Sequence, residues 1–144
     1  MKYRIAFSLL VATLAMSQAY ERDSVGNYPI ESAMTSEGDT LGGDVALYFG
    51  DQSHPKIVKS FGTFATNKKT NAFGKSDEAA CQHVFLSAAL ELQARARKEG
   101  GNAVVGIKSN YRNVLRSSTT DFTCGAGAFV AGVALTGEVV TLKH

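Results

Sequence analysis

Apolar positions recur with two different periods along this chain. Val45, Leu47 and Phe49 alternate with polar neighbours, the pattern of a half-buried strand. Ile57, Val58, Phe61 and Phe64 continue strand character over Lys56–Thr66. From Ser76 to Glu99 the period changes to that of a helix. At about 100° per residue, Cys81, Val84, Phe85, Ala88, Ala89, Leu92 and Ala96 share one face. Ser76 supplies a cap, Asp77 and Glu78 sit at the positive end, and Arg95, Arg97 and Lys98 sit at the negative end before Gly100. Asn102–Ile107 (NAVVGI) reads as a short buried strand. Phe129–Leu142 reads as a longer one, with Gly132 and Gly137 as bends or bulges. The order β-β-α-β-β predicts an α+β domain: a small sheet with one long helix packed on one face.

The intervening stretches are polar. Residues 20–43 and Asp44 are acidic, carrying Glu21, Asp23, Glu31, Glu37, Asp39 and Asp44, and predict a flexible lead-in with one helical turn at Ile30–Met34. The domain is thereby expected at residues 44–144. Gly50–Pro55 is a turn by composition, Asn67–Asn71 a solvated basic loop with Lys68 and Lys69, and Lys108–Thr120 a polar loop. On the helix, Leu86 and Leu90 fall opposite the main stripe with His83 beside them. They form either ordinary exposed leucines or the edge of a partner interface. The small-residue run Gly125–Ala134 (GAGAFVAGVA) is expected to be an inner strand lying close beneath the helix.

The first nineteen residues change the picture. Lys2 and Arg4 precede an apolar run, Ile5–Met16, and Ser17-Gln18-Ala19 provides small residues where a signal peptidase reads. This predicts a signal peptide cleaved after Ala19, and so a periplasmic or secreted protein. A spanning helix needs about 20 apolar residues, more than the run contains. No cysteine stands near the cleavage site to carry a lipid, so no stable membrane anchor is expected. Cleavage removes two cations. The precursor has 15 basic and 13 acidic residues. Without Lys2 and Arg4 the balance is 13 against 13, or zero. A nucleic-acid partner would need a clustered basic face, which this balance disfavours. Cys81 and Cys124 are an even count in an exported chain of 144 residues and point to one disulfide. A shared metal is the alternative, but it would need two further ligands.

Candidate chemistry is sparse. Gly74-Lys75-Ser76 stands where a P-loop would end, yet Lys69 occupies the position of its first glycine. Gly62–Thr70 also fails, because Asn67 replaces the second glycine. Cys81 and His83 point about 160° apart on a helix and cannot act as thiol and base. Asp51, His54 and His83 could in principle gather a metal, without a ligand-spacing signature. No Gly-x-Ser-x-Gly elbow occurs. These readings leave no cofactor and no catalytic residue to name. An enzyme built on an unrecognised pair of carboxylates stays as an alternative.

The helix running from Cys81 into Gly-Gly-Asn-Ala-Val-Val, followed by Ala-Leu-Thr-Gly-Glu-Val-Val at 134–140, resembles the YbjQ-like domains, often called heavy-metal-binding, and the Rcs envelope-stress sensor lipoprotein. LYFG at 47–50, FGTFATNKKTNAFGKSDEAAC at 61–81 and the GGNAVV run are similar to a family of exported bacterial proteins commonly labelled "excinuclease ATPase subunit". The resemblance implies a periplasmic α+β domain. It also implies pairing of Cys81 with Cys124, which stand where the fold group places a helix-start and a final-strand cysteine. Neither the ATPase label, nor stress sensing, nor the metal label carries over, for want of a P-loop, a lipid site and a ligand set. The expected function is a non-enzymatic interaction module. Its partner would be an envelope protein or a second copy, its surfaces His83, Leu86 and Leu90 on the helix and Lys68 and Lys69 in the basic loop. The alternative is metal binding through Asp51, His54 and His83.

Overall fold

The computed structural model describes residues 24–144; the predicted signal peptide and residues 20–23 lie outside the described part. The fold is mixed α and β: a curled six-stranded sheet with one long helix. Its elements are β1 (Ser24–Pro29), α1 (Ile30–Met34), β2 (Ala46–Phe49), β3 (Ile57–Asn71), α2 (Asp77–Glu99), β4 (Ala103–Ser109), a 3-10 turn (Tyr111–Asn113), β5 (Asp121–Ala126) and β6 (Val130–Leu142).

β6 is the spine. On one side it pairs antiparallel with β3 over its whole length, from Asn71↔Val130 to Ile57↔Leu142. On the other side it pairs first with β5, through Gly125↔Gly132 and Ala126↔Ala131, and then with β4, from Ala103↔Val140 to Ser109↔Leu135. β1 is added antiparallel to β5 and β2 parallel to β4. Gly62 and Gly106 adopt left-handed backbone where the registers of β3 and β4 slip against β6. Such irregularities bend a strand, and here they accompany the curl.

The α2 prediction holds in detail. Ser76 Oγ accepts from the Ala79 amide at 3.1 Å, and left-handed Gly100 closes the last turn onto the Ala96 carbonyl. All seven residues of the apolar stripe are buried against the sheet. Three of them are alanines, which let the helix approach the strands closely. Phe85 anchors the core, with its ring centroid 4.3 Å from Phe122 and 5.8 Å from Phe49. Cys81 is bonded to Cys124, joining the first turns of α2 to β5. A smaller apolar cluster of Ala103, Val105, Val140 and Leu142 lies apart from this core, with Tyr48 and Ile57 packed on it.

Three expectations need correction. The polar segment before residue 44 is not a free lead-in. Ser24–Pro29 forms β1, paired with β5 from Ser24↔Ala126 to Pro29↔Asp121, and Ile30 and Ala33 of α1 are buried in the core. Backbone hydrogen bonds, not side-chain pattern, hold an edge strand of this kind. The same cause accounts for Asn67–Asn71, which is the last part of β3 rather than a loop: its polar residues ladder onto β6 from Ala134 to Val130. The strand order also differs from β-β-α-β-β, because β1 precedes the predicted set and Asp121–Ala126 is a strand of its own. Within Gly125–Ala134, the residues Ala126, Ala131 and Val133 are buried in the main core as expected, but a turn splits the run between β5 and β6.

Candidate functional site

The predicted helix surface is partly covered. His83, Leu86, Leu90, Gln93 and Arg97 fall within an arc of about 80° on α2. The segment from Glu37 to Val45 runs along that arc and is tied at three levels. Glu37 Oε1 meets His83 Nδ1 at 2.5 Å. Gln93 accepts from the Gly42 amide at 3.2 Å and donates to the carbonyls of Gly42 and Val45 at 2.8 and 2.9 Å. Asp44 receives Nε and Nη2 of Arg97 at 2.6 and 2.7 Å. The side-chain hydrogen bond from Arg97 lowers the Asp44 pKa from its ordinary value. Leu86 is 1% exposed and belongs to the internal packing, whereas Leu90 is half-buried and the His83 side chain stays 44% exposed.

Gln93 is the central tie, and it is itself buried. Gln93→Ala removes all three of its hydrogen bonds and strands the polar groups of Gly42 and Val45. The expected loss is about 2 kcal/mol. Amide exchange should rise over residues 37–45 while the β3–β6 ladder stays protected, and mass-spectrometric hydrogen exchange reads both.

The remaining predicted residues are separated by the fold. Adjacent strand residues face opposite sides of a sheet. Lys68 accordingly points to the helix side and pairs with Glu91, while Lys69 points to the face without the helix. His54 packs edge-on against Tyr48 at 5.6 Å, and its Nδ1 lies 2.7 Å from the Pro55 carbonyl. Among the described residues no three of His, Cys, Asp and Glu gather as a metal site. His83 is held on α2 by Glu37, His54 lies against Tyr48 beside β2, and both cysteines are in the disulfide.

The face of the sheet away from α2 carries a different feature. Gly125 and Gly132 stand opposite each other on β5 and β6 and form a floor with no side chains. Tyr111 lies across it. A Cβ at Gly125 would come within 1.8 Å of the Tyr111 hydroxyl, so the ring can rest there only because residue 125 is glycine. The turn that aims Tyr111 has left-handed backbone at Arg112 and Asn113, and the Arg112 guanidinium lies 5.2 Å from the Tyr111 ring. Tyr111 and Arg112 form a wall between two hollows. One, of about 460 Å³, has Asn67, Lys69, Phe129 and Val130 on its sides. The other, of about 340 Å³, is bounded by Val25, Asn27, Val114 and Arg116.

Apolar exposure concentrates around this wall. Val25, Val114, Phe129 and Val130 are each more than half exposed. Phe73 is 68% exposed and stacks parallel on Phe129 at 5.7 Å. Among the described residues, no acid and no thiol lines either hollow; the charged groups there are Lys69, Arg112 and Arg116. Arg116 pairs with Asp121 and lowers that carboxyl's pKa by hydrogen bonding. The two displaced carboxylates, Asp44 and Asp121, each answer to their own arginine on different parts of the surface. That is the signature of ion pairing rather than of a catalytic pair.

Tyr111, Phe73 and Phe129 were not legible as site residues. Each is a lone aromatic among turn residues, and a single such residue looks the same whether the fold buries or exposes it.

The chain matches no family model, no curated protein and no solved structure.

Proposed function

We propose that this protein is an exported, non-enzymatic interaction module that works through the helix-free face of its sheet. The observation that carries the reading is the gathering of Val25, Val114, Phe129 and Val130 around two acid-free hollows, with Phe73 stacked beside them. A monomeric protein rarely leaves so many large apolar groups together on its surface without a partner. The Cys81–Cys124 bond favours an oxidising compartment, in keeping with the signal-like N-terminus. The similarity to exported proteins with a YbjQ-like fold points the same way.

The test places a photoreactive residue at Val114, or at Val58 as an equally exposed position outside the hollows. Irradiation of the envelope should give a defined adduct from position 114 and none from position 58. No adduct at 114, or the same adducts at both, would overturn the reading. The mass of the extracted protein checks cleavage after Ala19.

A further inference from the structure

The ribbon of β3 and β6 ends in a tip made of two turns, residues 72–76 and 127–129. The turns are clamped together. The Ala72 amide donates to the Phe129 carbonyl at 2.8 Å, and the Gly127 amide to the Val130 carbonyl at 2.8 Å. The Phe73 amide donates to Asn71 Oδ1 at 2.9 Å, and the Lys75 amide to the Ala72 carbonyl at 3.1 Å. The tip thus offers stacked phenyl rings on two turns tied to each other by backbone hydrogen bonds. Exposed aromatic rings at the end of a short projecting tip suit the boundary of a lipid bilayer.

Charge narrows the choice of partner. Lys69 and Lys75 are exposed within a few residues of Phe73, and Arg112 lines the same hollow as Phe129. Residues 67–76 and 125–130 contain no acid. The nearest acids along the chain, Asp77 and Glu78, sit in the first turn of α2, where the helix dipole offsets part of their charge. A second copy docked through this face would set cations against cations.

We propose that the Phe73–Phe129 tip docks reversibly on the surface of an anionic lipid bilayer. The phenyl rings enter the interface, and Lys69 and Lys75 meet the headgroups. This deepens the interaction reading above and rests on it.

The experiment mixes the mature, disulfide-bonded protein with vesicles of phosphatidylcholine alone or blended with phosphatidylglycerol, and measures co-sedimentation. Binding to the blended vesicles is expected, with little to phosphatidylcholine alone. Replacing both Phe73 and Phe129 by serine should weaken it by about tenfold or more, since the interfacial burial of both rings is lost. Lys69→Glu with Lys75→Glu should also weaken it, and added salt should weaken the wild type. An unchanged circular dichroism spectrum shows that these exposed substitutions leave the fold intact. No binding to the blended vesicles, or binding indifferent to the phenylalanines, would overturn the proposal. If vesicles fail while position 114 still crosslinks to an envelope protein, the bilayer is wrong and the interaction module stands. If both fail, both readings fall.

Discussion

Phe85→Ala is expected to destabilise the protein by about 4 kcal/mol, within the range for deleting a buried phenyl ring. Phe85 is fully buried, and its ring bridges Phe49 on β2 to Phe122 on β5. Phe122 in turn contacts Tyr28 on β1 at 5.9 Å. One side chain therefore couples the helix to three strands that come from distant parts of the chain. The cavity left by alanine cannot close easily. The Cys81–Cys124 bond lies one helical turn away and holds α2 to β5 at a fixed distance. Urea unfolding of wild type and variant at equal slope measures the difference. A loss below about 1 kcal/mol would mean that helix and sheet can settle into the void, and that the aromatic bridge is not a rigid part of the core.

The second large effect is expected from the disulfide. Replacing Cys81 and Cys124 together by alanine should cost about 4 kcal/mol by freeing the denatured chain, because the bond closes a loop with a sequence separation of 43. Both cysteines are completely buried, so alanine also leaves a small void at each. Alanine is the cleaner replacement, since serine would bury hydroxyls in an apolar setting. Thermal and urea unfolding of the double variant, beside the reduced wild type, measure the loss. The two wild-type redox states should differ nearly as much as the variant does from the oxidised protein. A much smaller difference would show that the denatured chain is already compact enough for the loop to cost little. Phe85→Ala and the cysteine pair act on the same helix–β5 contact, so their effects should not add when combined.

Helix α2 was readable from the chain in full, because everything that makes it is local. Its cap, its charges, its terminator and the spacing of its apolar stripe lie within residues 76–100, and only the identity of the opposing surface was missing. The strands with alternating or continuous apolar residues, 45–49, 102–107 and 129–142, were readable for the same reason. β1 and the last part of β3 were not. Their residues are polar or small, and what makes them strands is a backbone ladder onto β5 and β6, whose partners lie far along the chain.

The candidate site suffers from the same limit. Lys69 was picked out as a loop cation, and it does line the hollow, but Lys68 beside it faces the helix because residue 67 onward is strand and not loop. His83, Leu86 and Leu90 look like a free ridge in the sequence because the segment tied along that side of α2 lies about 50 residues earlier and is acidic and glycine-rich. No periodicity marks such a segment as packed. Its attachment depends on single polar contacts from Glu37, Gly42 and Asp44.

What the chain determined by itself was the class of fold, the long helix with its buried stripe, the arithmetic of its charges and the availability of two cysteines for one bond. These follow from local chemistry and counting. Tertiary structure alone decided which face of the sheet stays open, which lysine reaches it, and that Tyr111 rests over Gly125 with Phe73 stacked on Phe129 nearby. Those are contacts between segments separated along the chain, and their geometry exists only once backbone pairing has brought the segments together.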